Sequence, residues 1–172
     1  MLRLRLSVPA AAIGICLALG AADAQAKDDH DADHRLVLEI SPAGEWPLGG
    51  GPANFGGMIA AEVTPIENWL ELEFGLASLA TAGKSELSAD LLFKKPFRIS
   101  PTFEFMIGAG PSVSRTLNGP EQGTLWSAEF ALDFMFWPTK NVGWFVEPTW
   151  SIAPRTGEHS LGVSVGILLG FP

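Results

Sequence analysis

Residues 160–172 read SLGVSVGILLGFP. From Leu161 every odd-numbered residue is apolar (Leu161, Val163, Val165, Ile167, Leu169, Phe171), while the even positions are mostly glycine or serine. Side chains of a β-strand alternate between two faces, so this is a strand with one apolar face and one nearly bare face. Such a strand needs an apolar phase on one side and close neighbours on the other, and the rest of the chain has to supply them.

The same period of two runs upstream to residue 35. Leu36, Leu38 and Ile40 alternate with Arg35, Val37 and Glu39; then SPAGEWPLGGGPAN, rich in proline and glycine, reads as a long loop. A second strand covers about 54–64, with Phe55, Ile59, Ala61 and Val63 on one face. The third alternates Leu70, Leu72, Phe74 and Leu76 with Glu71, Glu73, Gly75 and Ala77. After TAGK, Leu87, Ala89, Leu91 and Phe93 oppose Glu86, Ser88, Asp90 and Leu92, and KKPFR reads as a short basic turn. Phe103, Phe105, Ile107 and Ala109 make a fifth strand, followed by the loop LNGPEQG. Trp126, Ala128, Phe130, Leu132, Phe134 and Phe136 make a sixth, opposite Glu129 and Asp133. Trp144, Val146, Trp150 and Ile152 make a seventh, opposite Glu147, and the PRTGEHS loop leads into the opening stretch.

Eight consecutive strands with short connections form antiparallel hairpins, because parallel crossovers need longer links. Strands of roughly 9–11 residues also match the length that crosses a tilted bilayer path. An even number puts both termini on one side. The linkers beginning at Pro65, Lys94 and Trp137 are then expected as turns on that side, and loops near Glu45, Gly83, Gly119 and Gly157 on the other. The predicted fold class is all-β, an eight-stranded antiparallel up-and-down transmembrane β-barrel.

Upstream of residue 35 the pattern changes twice. Arg3 and Arg5 precede an apolar run from Val8 to Leu19, followed by Ala24-Gln25-Ala26; residues 1–26 have the form of a cleaved secretory signal peptide. Cys16, the chain's only cysteine, lies inside that run behind Ile15, which argues against lipidation, and a disulfide is excluded. Residues 27–34, KDDHDADH, are too charged to bury and are expected as a disordered acidic leader; His30 and His34 there are weak candidates for a divalent metal. The barrel domain is placed at 35–172. Setting aside Arg3, Arg5 and Asp23 leaves 9 basic and 18 acidic side chains, a net charge of −9. Nucleic acid is therefore not an expected partner, since its affinity rests on neutralised phosphates.

Alternation does not by itself say which face is inside. The polar face carries Glu39, Glu62, Glu71, Glu73, Glu86, Asp90, Glu104, Glu129, Asp133 and Glu147. In a membrane barrel these line the lumen, with Arg35 and Arg98 as basic partners; in a soluble, lipocalin-like barrel they face water and the apolar face holds a hydrophobic ligand. Trp69, Phe93, Phe97, Phe136, Trp137 and Trp144 lie beside the expected turns, as an interfacial girdle would. Glycine and alanine opposite them suit a narrow interior, and Gly162, Ser164, Gly166 and Gly170 are expected to leave room for acidic side chains.

Signal peptide, eight alternating strands and a last strand ending in Phe171 together resemble the small bacterial outer-membrane β-barrel family, the OmpA/OmpX-like group, over residues 35–172. The resemblance implies export through the Sec route, residence in the outer membrane in contact with its lipid, and a C-terminal strand read by the barrel-assembly machinery. This chain departs from the family pattern in having Pro172 after Phe171 and no tyrosine.

The candidates for catalysis are Glu158, His159 and Ser160, which combine acid, base and hydroxyl. Adjacent strand residues point to opposite faces, so base and hydroxyl diverge unless the loop bends. The deacylases of outer-membrane lipid A space histidine and serine two apart, a spacing absent here. Glu71 with Glu73, and Glu129 with Asp133, share faces as acid–base pairs would, but a polar lumen explains them without chemistry. Eight strands enclose too little space for a wide pore, and Gly49-Gly50-Gly51 lacks the lysine and helix of a phosphate loop. The sequence thus points to a non-enzymatic, cofactor-free outer-membrane scaffold for envelope integrity or surface interaction, with loops around Trp46 and Asn118 to Gln122 offered to a partner it does not identify. A lipid A-modifying enzyme and a soluble periplasmic barrel are the alternatives.

Overall fold

A computed structural model describes residues 34–81, 83–118 and 123–172. The signal segment, His30 and most of the acidic leader lie outside the described residues. The eight strands are β1 (Leu36–Pro47), β2 (Asn54–Ile66), β3 (Leu70–Thr81), β4 (Lys84–Ser100), β5 (Phe103–Asn118), β6 (Thr124–Phe136), β7 (Val142–Ala153) and β8 (Glu158–Phe171). Each pairs antiparallel with the next, and β8 pairs with β1, so the sheet closes. Closure removes every open edge; the β1 to β8 ladder runs from Leu36 opposite Phe171 to Pro47 opposite Ser160. Phe171 is the last paired residue, and its carbonyl accepts the Arg35 amide at 3.0 Å; Pro172 lies beyond the ladder.

Two boundaries differ from the sequence reading. SPAGEWP is strand, so the first loop shrinks to 48–53, and Glu45 and Trp46 lie in β1. Pro42 is accommodated because β1 and β8 make no pair at Ser41 and Pro42, although the register either side is unchanged. Pro111 and Pro148 sit at matching interruptions of the β4–β5 and β6–β7 ladders. Proline removes one ladder donor, and each of these strands gives up one stretch of pairing while keeping its other neighbour. The second difference is KKPFR, which continues β4; the turn is at Pro101 and Thr102. At the other short turn on that side, 67–69, Asn68 takes the left-handed conformation with φ 58°, which asparagine tolerates better than most residues.

The faces are resolved on neighbouring residues of β3. Phe74 is 53% exposed on the outside and Glu73 is 1% exposed inside. The same orientation holds round the barrel: Ile40, Ile59, Phe93, Ile107, Trp126, Leu132 and Ile167 are all exposed. The soluble arrangement requires the reverse and is overturned by this orientation, because the large apolar side chains stand on the outside and the acids inside.

Most of the expected girdle is on the outer face: Trp69, Phe93, Phe97 and Trp144 are exposed, and Phe136 stacks on Trp144 at 4.0 Å between ring centres. Trp137 is the exception. It turns inward to 8% exposure and packs in a buried cluster with Val37, Met106, Met135, Phe145 and Leu168. This apolar plug occupies the interior at the end that carries the short turns and both chain ends of the barrel. Its position follows from inward residues near the turn end of β1, β5, β6, β7 and β8, namely Val37, Met106, Met135, Phe145 and Leu168, being large and apolar.

Candidate functional site: a charged layer inside the barrel

Directly above the plug lies a layer of charge. Lys94 of β4 is fully buried, and its Nζ donates to Asp133 Oδ2 at 2.9 Å and Glu147 Oε2 at 2.7 Å. It is also ion-paired with Glu73, and Glu62 Oε1 stands 3.9 Å away. Glu39 completes the group: one carboxylate oxygen from each of Glu39, Glu73 and Asp133 lie within 4.8 Å of one another. Five carboxylates on β1, β2, β3, β6 and β7 thus surround one ammonium. Burying an isolated charge costs several kcal/mol, so Lys94 and its carboxylates are tolerable only as a set.

Lys94 was missed because KKPFR, with two lysines and a proline, has the composition of a turn. Parity held the missing signal. Glu86, Ser88, Asp90 and Leu92 point inward, and two more residues of strand bring Lys94 onto the same face. A second signal is the glycine opposite it. Lys94 pairs with Gly108 across the β4–β5 ladder, and a methyl group at Gly108 would lie 2.7 Å from Lys94 Cγ. Asp90 pairs with Gly75 in the same way, and a methyl there would meet its carboxylate carbon at 2.9 Å. These glycines make room for charge. Those of β8 do something else: a methyl at Gly166 would sit 2.7 Å from the Phe145 ring, and Gly170 faces the His34 ring. Gly166 and Gly170 therefore admit the plug and its cap, and Gly162 admits Thr149, in place of the acidic side chains expected from the sequence; of the four small residues, Ser164 stands opposite an acid, Glu147.

Above the charged layer the interior opens. A cavity of about 440 Å³ reaches from the loop end down to Glu73 and Glu147. Its walls carry many small or acidic residues, including Ala43, Ser112, Ser127, Glu45, Glu86 and Glu129, with Lys84 at the mouth. At the mouth Lys84 pairs with Glu86 at 3.0 Å, with the lysine partly in solvent. The lumen is therefore a cup closed by the plug.

Glu71 is buried on β3 nearer the turn end, and Glu104 stands opposite Arg98 in the β4–β5 register. Arg98 and Arg35 are exposed at the rim, so the central basic partner is Lys94 and not these two: they share the inward parity, but each stands four residues nearer the turn end than Lys94 or Glu39 on its own strand. His34 is not loose leader. Its ring packs 4.5 Å from that of Trp137, and its Nε2 lies 2.6 Å from the Lys140 carbonyl oxygen, capping the plug. Glu158, His159 and Ser160 do not converge. The His159 ring stacks on Trp150 of the outer face at 5.7 Å, whereas the Ser160 hydroxyl bonds Glu45 inside and lies 2.6 Å from Ser151 Oγ. Glu158 accepts from Thr156 Oγ1 at 3.0 Å. Trp46 lies on β1 edge-on to Phe55, centres 5.6 Å apart, as an outer-face aromatic.

No family model matches the chain, and no curated protein sequence matches it. Solved structures do. Neisserial surface protein A superposes with a TM-score of 0.63 at 15% identity, covering 79% of this chain and 96% of that one. OprG from Pseudomonas aeruginosa gives 0.58 at 9% identity, covering 81% and 98%. The N-terminal β-barrel domain of Pseudomonas aeruginosa OprF gives 0.55 at 17% identity, covering 77% and 97%. The fold is that of the small eight-stranded outer-membrane β-barrels, consistent with an OmpA/OmpX-like barrel.

Proposed function

We propose that this protein is a non-enzymatic barrel of the bacterial outer membrane, exported through the Sec route and embedded in lipid as a scaffold. Its loops at 48–53 and 154–157 and the turn at Gly83 face the cell exterior and serve envelope integrity or surface interaction. The observation that carries the reading is the inverted polarity of β3, with Phe74 outside and Glu73 inside on consecutive residues. A surface of isoleucine, phenylalanine, tryptophan and leucine round the whole circumference is far larger than the apolar patches water-soluble monomers expose. Lipid is the solvent that accepts it, and a closed barrel meets lipid with no unpaired backbone edge.

The divergence of His159 and Ser160 supports a role without catalysis, since a nucleophile needs its base within hydrogen-bond reach. Assembly is assigned to recognition of β8 by the barrel-assembly machinery, with Phe171 as its terminal aromatic. Membrane fractionation with heat-modifiable gel mobility tests the reading. The expected result is a compact, faster-migrating species in the outer-membrane fraction that converts on boiling; a freely soluble periplasmic product overturns it. An unchanged lipid A mass profile on overexpression is expected, and a new acylation state would contradict the non-enzymatic assignment.

A further inference from the structure

The charged layer is unbalanced in a way its own residues do not repair. An ammonium has three N–H donors, and Glu73, Asp133 and Glu147 lie closest to that of Lys94. Glu39 and Glu62, each 1% exposed, are left over: all four of their carboxylate oxygens are buried without a hydrogen-bond partner among the described residues. Asp133 Oδ1 is in the same condition, although Oδ2 of the same side chain holds Lys94. Glu62 points into the group, since its Oε1 is 3.9 Å from the Lys94 ammonium.

We propose that Glu39, Glu73 and Asp133 form a calcium site inside the barrel, with Glu62 beside it as a further oxygen donor. The donor set is all carboxylate, which selects hard cations over zinc or copper. The three donor oxygens span up to 4.8 Å. Calcium–oxygen bonds of about 2.3–2.6 Å bridge that span with the strands where they are, whereas magnesium at about 2.0–2.1 Å draws the ligands further in and demands near-octahedral geometry. Asp133 divides its oxygens, one to Lys94 and one to the cation, so ammonium and metal occupy neighbouring positions in one acidic layer. The cavity from the loop end reaches down to Glu73, one of the three ligands. The acids above it, Glu45 and Glu129, set up a negative potential that concentrates cations there.

The test uses the refolded full barrel in detergent, stripped with chelator and titrated with calcium by calorimetry. One saturable site per barrel is expected, with an affinity no weaker than about 1 mM. Glu39→Gln is expected to weaken it about tenfold or more, as is Asp133→Asn, while Glu86→Gln at the mouth leaves it within about twofold. Heat-modifiable mobility checks that each variant is folded. Because either lumen variant can fail to fold, wild-type crystals soaked in manganese give an independent reading: an anomalous peak between Glu39 and Asp133 supports the site. No saturable binding, binding unaffected by Glu39→Gln and Asp133→Asn, or an anomalous peak confined to the mouth around Glu86 overturns it.

Discussion

The two halves of the barrel interior are built on the same strands and do opposite things. At the turn end Val37, Met106, Met135, Trp137, Phe145 and Leu168 fill the lumen and exclude water. At the loop end the same faces carry Ala43, Ser112, Ser127, Ser151 and Gly162, and the space stays open. Read upward, β6 gives Met135, Asp133, Ala131 and Glu129, and β7 gives Phe145, Glu147, Thr149 and Ser151. Large apolar, then acid, then small is one axial programme repeated on neighbouring strands. It teaches that stability and access are assigned to different ends, with the charged layer at the boundary between them.

Substitutions that break the closed half carry the largest effects. Lys94→Met leaves its carboxylates buried with no ammonium and is expected to cost about 3–5 kcal/mol, read as a lower urea midpoint for unfolding of the refolded barrel. The corresponding change at the open end, Lys84→Met, removes a partly exposed ion pair and should move the same midpoint by less than about 1 kcal/mol. If the two cost the same, the division between the halves is wrong. Phe145→Ala hollows the plug and is expected to cost about 3–5 kcal/mol; it also joins the cup to the turn end, so single-channel recordings in planar bilayers should show conductance that the wild type lacks.

A smaller effect is expected on the outer wall between the halves. Phe74→Lys places a charge on the lipid face and should destabilise the barrel in phospholipid vesicles by about 2–4 kcal/mol if that position lies near the bilayer midplane, less toward the interface. Equilibrium unfolding from vesicles measures it. Trp144→Ala removes the stack on Phe136, whose coupling should be worth about 0.5–1.5 kcal/mol beyond the lost burial, measured against Phe136→Ala in a double-mutant cycle.

The strands themselves were legible because period two is unbroken wherever one face meets an apolar phase, as from Leu70 to Ala77 and from Leu161 to Phe171. Boundaries failed where composition and parity disagree. SPAGEWP and KKPFR contain the residues of loops, yet both are strands, since a barrel strand tolerates proline where one ladder is interrupted. The acids of the charged layer could be placed on one face from sequence; its centre could not, because Lys94 was hidden in a stretch that composition assigns to a turn. His159 and Ser160 were separable by parity alone. Trp137 and His34 were not legible, since nothing local says that the chain folds back over the end of the lumen to cover Val37 and Leu168.

The central claim is that apolar residues face lipid while the acids face the interior of the barrel. The barrel segment contains no cysteine, so one nitroxide can be placed at Phe74→Cys in barrels reconstituted into phospholipid vesicles. Electron paramagnetic resonance power saturation should then show strong collision with molecular oxygen and weak collision with a water-soluble nickel chelate, with the label at bilayer depth. Strong collision with the nickel chelate at residue 74 would contradict the account.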